Sequence, residues 1–212
     1  GRTGVMAMTI STSRAEDNGE YDPLQYQKVY IYNSEGGLLR KYAAKDDIPE
    51  RLELLSGTYR VAVEAGEQVP ADFSKRFYKG EETFTVKPGE TTHAEVVCKI
   101  ANTVVEVKFD ASIVENLDPG YFVWIAGTDK FDEAEAESGA VPALKFTDEG
   151  TGYYTLPAGT TSLAWMFRGT HTSGKQVEME NTLTEVKAGG KYVFTFRYSP
   201  DLPGYIDALL IR

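Results

Sequence analysis

At 212 residues, with a formal net charge of −10, 42% hydrophobic and 25% charged residues, the chain has room for one large globular domain or two smaller ones. The acidity argues against nucleic acid and anionic membrane surfaces as partners, because a phosphate array needs clustered Lys and Arg to displace its counterions. A single cysteine, Cys98, excludes an intramolecular disulfide, and no run approaches the roughly 20 apolar residues of a membrane-spanning helix.

Val5 to Ile10 open the chain as a strand, and the polar stretch from Ser11 to Asp22 reads as a loop. Lys28-Val29-Tyr30-Ile31-Tyr32 is a second strand, ended by the turn Asn33-Ser34-Glu35-Gly36-Gly37, and Leu38 to Tyr42 return as its hairpin partner. Thr58 to Glu64 alternate with Tyr59, Val61 and Val63 on one face; Glu82 to Val86 do the same up to the turn Lys87-Pro88-Gly89-Glu90. Glu95-Val96-Val97-Cys98 reads as a strand with a buried, inert thiol. It runs almost directly into a further strand from Thr103 to Phe109. Tyr121 to Ile125 and Leu163 to Phe167 are apolar, aromatic-rich segments that hold the two tryptophans, Trp124 and Trp165. Between them, Phe131 to Glu137 has helical propensity without an apolar stripe, enough for an exposed turn or two. After the break Ser199-Pro200-Asp201-Leu202-Pro203-Gly204, an apolar tail runs from Tyr205 to Ile211. Tyr205, Ile206, Leu209 and Ile211 are candidates for strand exchange with a neighbour; the alternative is that the tail completes its own sandwich.

An internal repeat organises these strands. Leu54-Leu55-Ser56-Gly57-Thr58 is echoed by Leu156-Pro157-Ala158-Gly159-Thr160, and Thr85-Val86-Lys87-Pro88-Gly89 by Glu185-Val186-Lys187-Ala188-Gly189. The paired glycines lie 32 residues apart in the first copy (57 to 89) and 30 in the second (159 to 189). Each glycine is expected to supply a positive φ at a turn. Short strands at this rhythm predict an all-β protein of two tandem antiparallel β-sandwich domains, Ig-like in architecture, over residues 1–100 and 101–212.

The series Leu55-Ser56-Gly57-Thr58-Tyr59-Arg60-Val61, Phe77-Tyr78-Lys79-Gly80, Phe84 to Glu90 and Cys98-Lys99-Ile100-Ala101-Asn102 resembles an uncharacterised family of surface lipoproteins from Bacteroides-type gut bacteria, related to the fimbrillin-like adhesins. The likeness is best from Lys28 to Phe109 and continues more weakly through Phe194 to Tyr198. Its motifs are turns and core strands, so they specify fold better than function. The resemblance implies two transthyretin-like β-sandwiches, export, a lipid anchor on a cysteine upstream of Gly1, and display on the outer membrane. It also implies other pilus or surface subunits, or glycans, as partners.

Catalytic chemistry finds little support in the residues. No nucleophile elbow, phosphate-cradling loop or dinucleotide fingerprint occurs. His93 and His171 lack metal-ligand spacing, and the acidic run Asp129, Asp132, Glu133, Glu135, Glu137 reads as a solvated loop rather than a cation site. The expectation is a non-enzymatic protein with no cofactor and no metal. For ligand binding, Phe73, Phe77 and Tyr78, beside Lys75, Arg76 and Lys79 on the long connection of the first repeat, form the preferred recognition surface. The competing reading has these aromatics pin their own loop to the sheet. Trp124 and Trp165 are further stacking candidates, set against core packing: Trp124 shares a strand face with Phe122, and Trp165 with Leu163 and Phe167.

Overall fold

The computed structural model describes residues 2–13 and 20–212. Of the polar stretch expected as a loop from 11 to 22, residues 14–19 lie outside the described residues, while Ser11 and Thr12 still belong to the first strand. Residues 1–68 and 75–101 make one compact unit, and residues 69–74 and 102–212 the other.

The first half of the chain contributes β1 (Thr3–Thr12), β2 (Gln27–Asn33), β3 (Leu38–Tyr42), β4 (Arg51–Leu55), β5 (Gly57–Gly66), β6 (Ala71–Asp72), β7 (Phe77–Val86) and β8 (Thr91–Ile100). All but β6 build the first unit, in the order β3-β2-β5-β7-β8-β1-β4. The β7–β8 hairpin pairs only at its open end, Tyr78 with Ile100 and Lys79 with Lys99. Beyond that point its two strands part into separate layers, so one continuous sheet folds over itself as a sandwich. The period of two decides what lies between the layers. Tyr59, Val61, Val63 and Ala65 point inward from β5, Val29 and Ile31 from β2, and Ala94, Val96 and Cys98 from β8. Each large apolar side chain so enclosed contributes about 1.5–3 kcal/mol.

The second half contributes β9 (Thr103–Phe109), α1 (Ala111–Asn116), β10 (Phe122–Ala126), α2 (Glu133–Ser138), β11 (Ala143–Phe146), β12 (Gly150–Tyr154), β13 (Leu163–Thr170), β14 (Gln176–Leu183), β15 (Lys191–Tyr198) and β16 (Ile206–Ile211). Its two sheets have the orders β11-β10-β13-β14 and β16-β15-β9-β12-β6. Setting aside β6 and β16, this is the strand order of the first unit: β2, β3, β5 and β7 correspond to β10, β11, β13 and β14, and β8, β1 and β4 to β15, β9 and β12. The four repeat glycines all take positive φ, +153° at Gly57, +70° at Gly89, +80° at Gly159 and +79° at Gly189.

The all-β sandwich architecture is as expected, with one qualification in each unit. β1 runs parallel to β8, and β9 parallel to β15, among otherwise antiparallel pairs. Side-chain alternation is the same for either direction, so strand polarity is invisible to it. Two short helices complete the unit. α1, absent from the sequence expectations, is N-capped by Asp110, which accepts the Ser112 N–H at 2.9 Å, and it buries a single residue, Ile113. α2 is capped by Asp132, ends at left-handed Gly139 and buries Ala136, so the expected exposed turn is docked along one edge.

Candidate functional site

Inward-facing Val29 and Ile31 force Lys28, Tyr30 and Tyr32 onto the outer face of the first unit, and Tyr26 stands at the head of the same row. The register fills in the rest of this face. On β5, Glu64 lies opposite Lys28, Ala62 opposite Tyr30, and Arg60 opposite Tyr32. On β7, Lys79 lies opposite Glu64 and Glu81 opposite Ala62. Cations hold two of the rings: Lys41 Nζ is 5.8 Å from the Tyr30 centroid, and the Arg60 guanidinium is 4.2 Å from that of Tyr32. Arg60 also donates to Glu81 at 3.1 Å.

Two clefts open on this face. One, of about 510 Å³, surrounds Tyr26 and is walled by Gln25, Gln27, Gln68 and Phe77. The other, of about 540 Å³, is a saddle over Ala62 and Gly80 between Tyr30, Tyr32 and Lys79. Glu64 lines both. Both volumes fall in the range of about 300–1,000 Å³ usual for small-molecule sites.

Tyr26 is set in place by a short 3₁₀ turn over Pro23–Gln25. Asp22 accepts the Leu24 N–H at 3.0 Å and the Gln25 amide at 3.0 Å, Pro23 supplies the preset φ of a first helical position, and the Tyr26 N–H donates to Pro23 O at 3.0 Å. The bond from Gln25 holds the Asp22 carboxyl below its ordinary value. The Tyr26 ring, 50% exposed, stacks on Tyr21 with centroids 5.9 Å apart and planes within 12°. Tyr21 is anchored in turn. Its hydroxyl donates to Glu67 at 3.1 Å, and the guanidinium of Arg76, only 1% exposed, lies 5.2 Å from its ring. Arg76 also donates to the Tyr78 hydroxyl at 3.1 Å. Burial, with the Glu67 charge adding to it, pushes the Tyr21 hydroxyl well above the ordinary phenol range, so it stays a donor.

The residues singled out from the sequence fall in several places. The long connection expected at Phe77, Tyr78 and Lys79 is instead the start of β7. Tyr78 is core, 2% exposed, because it faces Ala65 across the ladder. Phe77, 6% exposed, offers only an edge to the wall of the first cleft, and Lys79 reaches the second. Trp165 is sealed in the core of the second unit, 5.0 Å edge-to-face from Phe196. Trp124 faces the other way. It lies beneath α2 with Phe131, Ala136 and Met166, and its indole N–H, buried, has no hydrogen-bond partner among the described residues. Arg168 clasps α2 over it, donating to both Glu133 oxygens at 2.9 and 2.5 Å and to Glu178 at 3.1 Å. Neither indole offers a face for stacking a sugar, since packing occupies both. The tail from Ile206 to Ile211 pairs with β15 and forms the margin of its own sheet; Ile206 is buried, Leu209 and Ile211 are exposed, and Tyr205 turns the chain into the strand.

His171 accepts the Ser173 N–H at 3.0 Å within its own turn, and His93 is exposed on β8. Among the described residues, no three His, Cys, Asp or Glu side chains come together in a group that could hold a metal ion. No helix among them is long and apolar enough to cross a membrane. The sequence reading missed Tyr26, Tyr30 and Tyr32. Their signal was present: the outward positions of an alternating strand, normally polar, carry tyrosine.

Topology and packing place the molecule among the tandem β-sandwich proteins with mixed sheets. The chain belongs to the family described as a domain of unknown function, DUF4493, whose model matches residues 4–208. No curated protein is similar to it in sequence. Among solved structures it is similar to a provisionally named cell adhesion protein of Bacteroides uniformis, with a TM-score of 0.60 at 12% identity over 99% of this chain and 96% of the other. A provisionally named cell adhesion protein of Bacteroides eggerthii gives 0.57 at 9% identity, covering 100% and 95% of the two chains. A provisionally named polysaccharide-binding protein of Bacteroides thetaiotaomicron gives 0.50 at 12% identity, covering 97% and 98%. At these identities the likeness is one of fold.

Proposed function

We propose that this is a non-enzymatic, adhesin-like protein of the bacterial cell surface that recognises its target through the outer face of the first unit. The observation that carries the reading is the pair of ligand-sized clefts around Tyr26, Tyr30 and Tyr32, where exposed or half-buried rings stand among fixed hydrogen-bonding groups. No nucleophile, acid and base converge there, as turnover would require. The provisional names of the Bacteroides uniformis and Bacteroides eggerthii proteins support an adhesive role. Export, a lipid anchor ahead of Gly1 and outer-membrane display belong to the same proposal. Beads coated with the protein should be retained on mucin, matrix or bacterial cell layers, and retention should fall when Tyr26 and Tyr30 are both replaced by alanine. Absence of retention on every layer would refute the reading.

A second reading, a fimbria-related subunit that joins its neighbour by strand addition, is favoured by β16. That strand is the sheet margin and carries exposed Leu209 and Ile211. It predicts concentration-dependent oligomers in size exclusion; a strict monomer at all concentrations removes it.

A further inference from the structure

We infer that the outer face of the first unit binds an extended, neutral oligosaccharide lying along β2, with Tyr26 and Tyr30 as stacking rings and Glu64 as the shared hydrogen-bonding centre. The inference rests on the surface-recognition reading and names the ligand class of the same face.

Three features of the face lead there. The first is its length. From Tyr26 to Tyr32 is six residues, about 20 Å at the rise of an antiparallel strand, and the two clefts of about 510 and 540 Å³ share the Glu64 wall. An elongated ligand that enters one cleft is therefore led into the other. The second is the lining. Tyrosine rings offer flat apolar faces, while Gln25, Gln27, Gln68 and Glu64 offer donors and acceptors beside them. Sugars present that alternation, C–H faces bounded by hydroxyls; a purely apolar ligand would strip water from these polar groups without replacing it.

The third is charge. The cations on the face stand beside carboxylates. Arg60 is bonded to Glu81 at 3.1 Å, and Lys28 and Lys79 flank Glu64 from opposite sides across the ladder. Lys28 and Lys45 in the first cleft are matched by Glu64 and Glu67, and Lys79 in the second by Glu64 and Glu81, so neither cleft carries the net positive charge that a polyanion would need. A neutral chain satisfies the groups without disturbing these pairs.

The rings are also preorganised. The Tyr21–Tyr26 stack is fixed below by buried Arg76, and Tyr30 and Tyr32 each hold a cation. Binding therefore orders few side chains, which is how a shallow site gains affinity.

The test is affinity electrophoresis of the full chain through gels containing soluble neutral polysaccharides (a β-glucan, a xylan, a mannan) or an acidic one, polygalacturonate. At least one neutral polymer should retard the protein. Tyr26→Ala and Tyr30→Ala should each weaken that retardation about tenfold, and Ala62→Trp, which fills the saddle without removing a ring, should abolish it. Tyr26 is half exposed, so its truncation should cost only about 1 kcal/mol for the lost stack on Tyr21, and a urea titration of each variant separates loss of binding from unfolding. Retardation by polygalacturonate alone, by no polymer, or by a neutral polymer equally in wild type and all three variants would each overturn the inference. If coated beads still adhere while no polysaccharide retards the chain, the adhesive reading stands and the ligand class falls.

Discussion

Replacing Gly127 by alanine would put a methyl carbon 2.5 Å from Cε1 of Tyr154, a ring with no solvent exposure. The ring has nowhere to go. Its hydroxyl donates to Pro142 O at 2.6 Å, and the ring packs in the core of the second unit. Overpacking a filled core costs about 1–3 kcal/mol. A shift large enough to relieve the contact also strains the hydrogen bond to Pro142 O, about 1 kcal/mol more. Gly127→Ala should therefore destabilise by about 2–4 kcal/mol, read as a lower urea midpoint with unchanged slope. In a Tyr154→Leu background the same change should cost less than about 1 kcal/mol, because the atoms it would strike are gone. A Gly127→Ala protein of wild-type stability, or equal costs in the two backgrounds, would refute the packing described here.

Cys98 has no solvent exposure and its thiol is pushed up to about 11 by burial, so iodoacetamide at pH 8 should label it only in guanidinium chloride; labelling of the folded chain contradicts the structure. Between about 9 and about 11 the unfolded thiol has lost a proton that the folded one keeps, so the midpoint should fall as pH rises through that window, and Cys98→Ala should remove this part of the fall. The hydrogen bond from Arg168 holds the Glu133 carboxyl below the ordinary glutamate range, so the clasp contributes above that range and is lost as pH falls through the folded value. In a Trp165→Phe background, Trp124 emission should shift red on acidification before the chain unfolds; emission constant until global unfolding would contradict the clasp. Along β16, Ile206→Ala should cost about 2–5 kcal/mol and Ile211→Ala, at 67% exposure, less than about 0.5 kcal/mol by urea titration; equal costs would mean the strand does not pack as described.

Much of this architecture could be read from the residues, because strands with one buried face write their period into the chain. Tyr59, Val61 and Val63 were legible as an inward row, and the glycines at 57, 89, 159 and 189 as positive-φ corners. Where the period fails, so did the reading. Phe77 and Tyr78 are buried in succession at the point where the β7–β8 hairpin splays between layers, and two adjacent aromatics look like a loop rather than a strand. α1 buries one residue in six, too little for a helical stripe, although its Asp110 cap was in plain view. The tryptophans stayed between stacking and core packing for a different reason. Aromatic residues stand out in composition, but exposure depends on what covers them, and α2 over Trp124 is a tertiary fact. The tyrosines of β2 passed unremarked because strand alternation shows which residues share a face but not which face is open.

The two-residue strand β6 has a consequence for how this chain can be divided. Because residues 69–74 belong to the second unit and 75–101 to the first, the polypeptide changes unit three times, after 68, 74 and 101. A chain cut after residue 101 would yield a front half trailing an orphaned segment and a back half missing the strand that pairs with Tyr153 and Tyr154. Nor can a ribosome finish the first unit before it has made part of the second. The polypeptide behaves as a stitched pair rather than beads on a string, and soluble, well-behaved halves are to be sought by permutation or by grafting residues 69–74, not by simple truncation.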